Sequence, residues 1–314
     1  MNKEMILKTL QEQDSTILDF PDRGPWGDNR YRGNCSGYIH AFLMWKYQIK
    51  RFAEVFAGSG TGSDVARDMG VDYIGLDLNP NPKRSNILSG NAFTDEVPEQ
   101  FRGADMVFMH PPYGLEINIP YAGSMFPDPT GELSKCDLGQ MPWKEFIEVL
   151  NEIVMKYYAS IDKGAYMAVL MGDVRRKGFH SMMADIVKPG KLEQIIIKKQ
   201  NNCFSNGRTY QNSNFVPIVH EYIMVLKKIL PYIISFQLPT SYEMDIRDSD
   251  SATWADILYA VMKDKGQMSL NALYDELKDC KKCRKNLHWK EKIRQTLQQY
   301  NFFISNSRGI WQVS

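Results

Sequence analysis

The sequence predicts an α/β protein with a small helical unit at its C-terminal end, and three observations carry that expectation. RFAEVFAG (51–58), SDVARDMG (63–70) and DYIGLDL (72–78) alternate strand, helix and strand over less than thirty residues. GAYMAVLMGD (164–173) is almost continuously apolar, as a strand is when both faces of its sheet are covered. After about residue 230 the composition changes, and three short helical patterns are followed by two short strands.

The elements follow in order. Residues 1–30 open with a short helix and pass into a polar, Pro/Gly-rich lead-in, DFPDRGPWGDNRYRGNCSG, too irregular for a helix. IHAFLMWKYQ (39–48) is an apolar helix, and the strand–helix–strand unit follows it. ADMVFMH (104–110) is a further strand. PWKEFIEVLNEIVMKYYASI (142–161) repeats apolar residues at three and four, which predicts an amphipathic helix. KLEQIIIKKQ (191–200) and HEYIMVLKK (220–228) are two late strands, free to run antiparallel in a mostly parallel sheet. This gives a main domain over 1–235, a linker over 236–250 and a second domain over 251–314. In the second domain the helices are 253–264, 269–279 and 288–300, and an Asn-Ser-Arg-Gly turn joins two strands in FFISNSRGIWQVS. Three helices and a terminal hairpin make the winged helix-turn-helix plan.

At 314 residues the chain is large for one domain and comfortable for a main domain plus a small one, and 43% hydrophobic content supports a substantial core. The formal charge is +1, so no global field advertises a nucleic-acid partner and any such surface must be local. Residues 250–314 hold eleven Lys/Arg against seven Asp/Glu, which favours a polyanion modestly. Five scattered cysteines, a polar start and no run of 18 apolar residues predict a reduced, cytoplasmic protein with no membrane partner. Cys280 and Cys283 form CKKC, but a structural zinc site needs four ligands. The expectation is two ordinary thiols in a lysine-rich loop, and no metal.

Two stretches carry chemistry. In EVFAGSGTGSD (54–64), Gly58, Gly60 and Gly62 lie between a strand and a helix, where glycines permit a tight turn and close approach of a ligand. The next strand ends in Asp77, placed to accept hydrogen bonds from ribose hydroxyls. The spacing matches neither the dinucleotide fingerprint nor the phosphate-binding loop, so an adenosine cofactor without a phosphate chain fits better. In FMHPPYG (108–114), two prolines break the strand and hold His110 and Tyr113 beside a stiff turn.

FAGSGTGSDVARDMG with GLDLN resembles the S-adenosylmethionine-binding motif of class I methyltransferases. MHPPYG resembles the Asp/Asn/Ser-Pro-Pro-Tyr signature of DNA amino-methyltransferases, and HEYIMVLKK resembles the late strand that often ends that catalytic domain. The resemblance spans about residues 30–228 and implies a Rossmann-like class I methyltransferase sheet flanked by helices. It implies S-adenosyl-L-methionine as cofactor, with Phe56, Gly58, Gly60 and Gly62 at its methionine part, Asp77 on the ribose and Asn91 at the adenine. RYRGNCSGYIH (30–40) is similar to the segment that closes over the methionine end. His110, Pro111, Pro112 and Tyr113 are then the catalytic set. An exocyclic amine must be oriented by acceptors, which assigns the His110 ring and the Pro111 carbonyl. Tyr113 would stack on a base flipped from the duplex.

His110 departs from the usual Asp, Asn or Ser. Only a neutral imidazole accepts a hydrogen bond, so activity is expected to fall as His110 is protonated. The reaction expected is N6 methylation of adenine in double-stranded DNA. The alternatives are cytosine N4 methylation, amino methylation of RNA or a protein glutamine, and a non-enzymatic DNA-binding protein with a relict cofactor fold. Cytosine C5 methylation needs a cysteine nucleophile, normally in a Pro-Cys pair, and the sequence has none. The long loop 113–143, with Tyr121, Phe126 and Trp143, would frame the base. Arg175, Arg176 and Lys177, with Arg208, would meet phosphates. In the C-terminal unit Lys290, Arg294 and Gln298 share one side of the recognition helix, and Arg308 lies at the wing. That unit resembles the winged helix modules of restriction and modification proteins. A cognate restriction endonuclease and a second copy of the chain are the further partners this allows.

Overall fold

The computed structural model describes residues 1–117, 119–176, 178–201, 214–231, 234–237 and 244–314. It divides into two compact units, Met1–Pro239 and Thr240–Ser314.

The first unit opens with helix α1 (Lys3–Gln11), whose Asn2 cap accepts from the Glu4 N–H, and a short strand β1 (Ile17–Leu18). Helix α2 (Gly37–Lys46) starts at Ser36, which accepts from the Tyr38 N–H. It is apolar nearly all round and almost wholly buried. Strand β2 (Arg51–Val55), helix α3 (Thr61–Met69), strand β3 (Asp72–Asp77) and strand β4 (Ile87–Ser89) follow. Next come β5 (Met106–Met109), a single turn α4 (Gly114–Ile117), α5 (Trp143–Ser160) and β6 (Tyr166–Met171). The remainder is β7 (Val174–Arg175), β8 (Phe179–His180), α6 (Met182–Asp185), β9 (Lys188–Pro189), β10 (Lys191–Lys199), β11 (His220–Lys227) and β12 (Phe236–Gln237).

Eight strands form the main sheet in the order β1-β10-β11-β6-β5-β2-β3-β4. All neighbouring pairs are parallel except that β11 runs antiparallel to both β10 and β6. A parallel core closed by one antiparallel strand is the order of the Rossmann-like class I methyltransferase fold. β5 shows how sequence drives the layering. Met106 and Phe108 point into one core with Phe42 and Leu43 of α2, while Val107 and Met109 point into another with Phe146, Leu150 and Val154 of α5. With side chains alternating at period two and both faces covered, every residue of β5 is apolar. Each such side chain contributes roughly 1.5–3 kcal/mol by leaving water.

The chain winds outward from β2 through β3 to β4, and in the other sense from β5 to β6. The switch point therefore lies between β2 and β5, where α/β sheets open a crevice beyond their C-terminal strand ends. Val55 pairs with Met109 there, so the residues that follow them, Phe56 and His110, leave the sheet side by side.

Both of these strands are shorter than the sequence predicts. β2 ends at Val55 because Phe56 takes φ 67° and Gly58 φ 53°, which turns the chain. The edge strands β1 and β4 were not expected, nor was the hairpin β7/β8 within the basic stretch 172–180.

The second unit contains α7 (Trp254–Lys265), β13 (Met268–Ser269), α8 (Leu270–Leu277), α9 (Lys281–Arg284), α10 (Trp289–Gln299), β14 (Phe303–Ser307) and β15 (Ile310–Val313). Thr253 and Asp256 form a reciprocal capping box at α7. β15 lies between β13 and β14, antiparallel to both. The helices bury Leu258, Met262, Leu273, Leu277, Ile293 and Leu297 in one core. CKKC is not a loop: Cys280 caps α9, accepting from the Cys283 N–H, and both thiols are buried.

The expected linker 236–250 is shortened at both ends. β12 pairs with β9 in the first unit. In the second, Arg247 bridges Asp245 and Glu276, and Arg284 pairs with Asp248. Among the described residues no helix is long and apolar enough to cross a membrane.

Candidate active site

The loops leaving β2, β3, β4 and β5 enclose a cavity in the first unit. Phe56 and Gly58 line it after β2, Asp77 at the end of β3, Asn91 after β4, and His110 and Pro112 after β5. Asp77 is buried and accepts from the Gly58 N–H at 2.7 Å and the Asn79 N–H at 2.9 Å. Burial pushes its carboxyl upward, and the carboxylates of Glu54 and Asp137 add to this against the two N–H donors.

Residues 27–34 pack over the glycine turn. Asn34 donates to the Ser59 hydroxyl at 2.7 Å and accepts from the Thr61 hydroxyl at 2.7 Å, and the Asp28 N–H also donates to Ser59. The Tyr31 ring lies so near Gly58 that a Cβ there would meet it at 3.1 Å. With φ at 53° as well, Gly58 is a position that a larger residue would strain.

The other glycines have different tasks. Gly60 caps α3 at φ 84°, under the Arg84 side chain. Gly62 faces the protein interior, where a Cβ would lie 2.0 Å from Glu54 Oε2. Both were expected at the methionine part of a cofactor, and neither is among the residues that line the cavity. Asn91 does line it, but its side-chain oxygen accepts from the N–H groups of Phe93 and Thr94 and so shapes the turn.

A second cavity opens on the other side of His110. Pro111, Tyr113, Ile117, Lys198 and Glu221 line it, and Gly33, Asn34, Cys35, His110 and Tyr121 are common to both cavities. The consecutive prolines thus serve different cavities, Pro112 the first and Pro111 the second. Tyr113 is not a loose aromatic. Its hydroxyl donates to Glu221 Oε1 at 2.8 Å and accepts from the Gly172 N–H at 3.1 Å. Glu221 also pairs with Lys198, and both are largely buried. Burial raises the Glu221 carboxyl, but Lys198, His110 and Tyr113 together bring it down to about 2.

Three features were not read from the sequence. Asp137 is buried and organises the long loop: Oδ2 accepts from the N–H groups of Tyr121 and Ala122 and from the Gln140 amide, and Oδ1 from Gly139. Lys198 and Glu221 form the second. The third is a buried chain from the Tyr73 hydroxyl to Glu54 Oε2 (2.5 Å), Glu54 Oε1 to His40 Nε2 (2.8 Å), and His40 Nδ1 to Cys35 Sγ (4.0 Å). The residues of this chain come from three separate stretches, so only the folded chain unites them.

The residues expected to meet phosphates sit in different surroundings. Arg175 is exposed, donates to the Val216 carbonyl and lies over the rings of Phe179 and Phe215, contacts that brace its hairpin. Arg176 is exposed. Lys177 and Arg208 lie outside the described residues. On α10, Lys290 sits over the rings of Tyr274 and Trp289, Arg294 bonds Glu291 and the Tyr274 hydroxyl, and Gln298 is exposed. Arg308 is exposed in the turn between β14 and β15.

The first cavity fits S-adenosylmethionine on its own chemistry. Asp77, Asp137 and Glu54 are all buried and line it. Three acids suit a cationic sulfonium and ammonium, and repel a phosphate chain. The Asp77 carboxylate retains acceptor capacity for ribose hydroxyls beyond its two N–H donors.

No family model matches the chain, and no curated protein matches it. Among solved structures, TrmN from Thermus thermophilus aligns at 14% identity and a TM-score of 0.37, over 63% of this chain and 50% of its own, so this chain spans about half its length. A SAM-dependent methyltransferase from Archaeoglobus fulgidus aligns at 13% identity and 0.33, over 60% of this chain and 93% of its own. A SAM-dependent methyltransferase from Methanosarcina mazei aligns at 10% identity and 0.33, over 60% and 97%. Overlaps this loose carry nothing about activity.

Proposed function

We propose that the protein is an S-adenosylmethionine-dependent DNA methyltransferase acting on the N6 amine of adenine. The observation that carries this is the junction at His110: an acid-rich cavity suited to the cofactor meets a second cavity walled by Pro111 and Tyr113. S-adenosylmethionine supplies an electrophilic methyl group on its sulfonium. The residues of the chain supply orientation. Asp77 holds the ribose, and Tyr31 and Asn34 close the methionine end. The His110 ring and the Pro111 carbonyl accept the hydrogens of the amine and turn its lone pair toward the methyl group. Among the described residues no backbone N–H of a turn or loop donates to that carbonyl. The Tyr113 ring, with its hydroxyl fixed by Glu221 and Gly172, forms a preset surface for a flipped base.

A planar heterocycle carrying an exocyclic amine is the substrate this wall suits. DNA is favoured over other carriers by the second unit, which we read as a winged helix with α10 as recognition helix and Arg308 at the wing. Adenine is the base by analogy with Pro-Pro-Tyr-Gly enzymes. The test is incubation of the protein with labelled cofactor and unmethylated duplex DNA, digestion to nucleosides, and mass identification. N6-methyladenine is expected. N4-methylcytosine would replace the base, and no transfer to any DNA would overturn the reading.

A further inference from the structure

We propose that Lys198 is a specificity-determining residue: its ammonium group donates a hydrogen bond to a ring nitrogen of the heterocycle whose amine is methylated. The inference rests on the amino-methyl transfer proposed above and names the kind of atom by which that heterocycle is recognised.

The sheet brings Lys198 to the edge that carries His110. β11 runs antiparallel to both β10 and β6, and β6 runs parallel to β5, so β10, β6 and β5 all end on one edge. β5 ends there at Met109, β6 at Met171 and β10 at Lys199, while β11 starts there at His220. Tyr113 spans this edge. Its hydroxyl accepts from the Gly172 N–H just past β6 and donates to Glu221 Oε1 on β11. Lys198 lies directly opposite Glu221 in the β10–β11 register and donates to its other oxygen. Lys198 therefore stands beyond the hydroxyl end of Tyr113. The His110 ring is 6.0 Å from the Tyr113 ring, centroid to centroid, and belongs to the turn that carries it. A planar base lying on Tyr113 with its amine at His110 turns another ring edge toward Lys198.

Packing does not call for this charge. One step inward on the same face of the strand pair, Ile196 lies opposite Ile223, and both are buried in the core. The next opposed pair is Lys198 and Glu221, whose side chains are only 14% and 6% exposed. A buried ion pair is no more stabilising than well-packed apolar residues of similar volume. What sets this position apart is the second cavity, which both side chains line together with Pro111 and Tyr113. Glu221 has its task there, since it holds the Tyr113 hydroxyl. Lys198 has donors to spare. An ammonium group carries three N–H bonds, and among the described residues Glu221 is the one group that accepts from it. Two donors remain at the wall of the cavity. The pairing with Glu221 also fixes the ammonium in advance, so less freedom is lost when a ring nitrogen meets it.

The test is a cycle between protein and base. Duplexes carry adenine, or 1-, 3- or 7-deazaadenine at every adenine position, each analogue keeping the amine and replacing one ring nitrogen by C–H. The proteins are wild type, Lys198→Met, and Lys198→Met combined with Glu221→Gln. The double variant leaves no buried charge unpaired and keeps an acceptor for the Tyr113 hydroxyl. Wild type is expected to use one of the three analogues roughly 10–100-fold less well than adenine in kcat/KM. In both variants that penalty should shrink to within about twofold. The same set is read as DNA affinity with S-adenosylhomocysteine bound, which needs no methyl transfer. A chain that binds DNA without methylating it would thus fail the proposed function and still show or lack the Lys198 coupling. Wild type that treats all three analogues like adenine would overturn the proposal. So would variants that lose activity or affinity equally on every duplex, because Lys198 would then serve a phosphate or the packing of the strand pair.

Discussion

At the scale of single residues, small and buried polar groups set the chemistry. Gly62 shows that a motif position can carry a packing task. In sequence it reads as part of a cofactor turn, but it is a glycine so that Glu54 can pass beneath α3 and reach His40 and Tyr73. Glu221 is the complementary case, an acid buried beside Tyr113 and Lys198. Its folded carboxyl is held to about 2 against an ordinary 4.5. A lowered carboxyl contributes stability that is fully present above its unfolded value and is lost as pH falls through the folded one. The contribution of Glu221 should therefore fade between pH 4.5 and about 2. In Glu221→Gln, thermal unfolding midpoints measured against pH should show a shallower acid decline than in wild type over this window. The variant should also start less stable at neutral pH by about 3 kcal/mol, because Lys198 loses its partner. An acid decline equal to that of wild type would remove Glu221 from this role.

At the scale of elements, the sheet was legible and the loops were not. β3, β6, β10 and β11 announce themselves because burial on both faces, or alternation, leaves a local pattern. β1 and β4 are two and three residues long and stand at sheet edges, where pairing is set by distant partners. The stretch 172–180 reads as a charged loop because its hairpin depends on Arg175 packing over Phe179 and Phe215. The turn after β5 was legible from its prolines, while Lys198 and Glu221, which support Tyr113, lie far downstream on β10 and β11. The loop 113–143 contained an expected aromatic frame but not its hub. Asp137 ties together Tyr121, Ala122, Gly139 and Gln140, and leaves Tyr121 beside Tyr31 with ring centroids 5.8 Å apart. Asp137→Ala leaves buried N–H groups unpaired, at about 1–3 kcal/mol each before relaxation. The expected outcome is a weaker thermal shift on adding S-adenosylhomocysteine, with faster proteolysis between residues 119 and 140. Wild-type values for both would show that the loop is held by other contacts.

At the scale of the whole molecule, a nearly neutral chain divides its work between two units with separate cores. The surplus of positive charge in the second unit is the one compositional sign of a polyanion partner. Substituting Lys290 and Arg294 with Glu should weaken DNA binding and flatten its salt dependence, measured by fluorescence anisotropy at several ionic strengths. Affinity for S-adenosylhomocysteine, measured by calorimetry, should stay at the wild-type value. Unaltered DNA binding would move the interface away from α10.

If the methyl group goes to an exocyclic amine, as proposed, a base lacking that amine receives none. Duplexes carrying adenine, and matched duplexes carrying hypoxanthine at every adenine position, would be incubated with the protein and labelled S-adenosylmethionine. Label is expected in N6-methyladenine from the first set and none in hypoxanthine from the second. Label recovered in hypoxanthine, or on a carbon of any base, would contradict it.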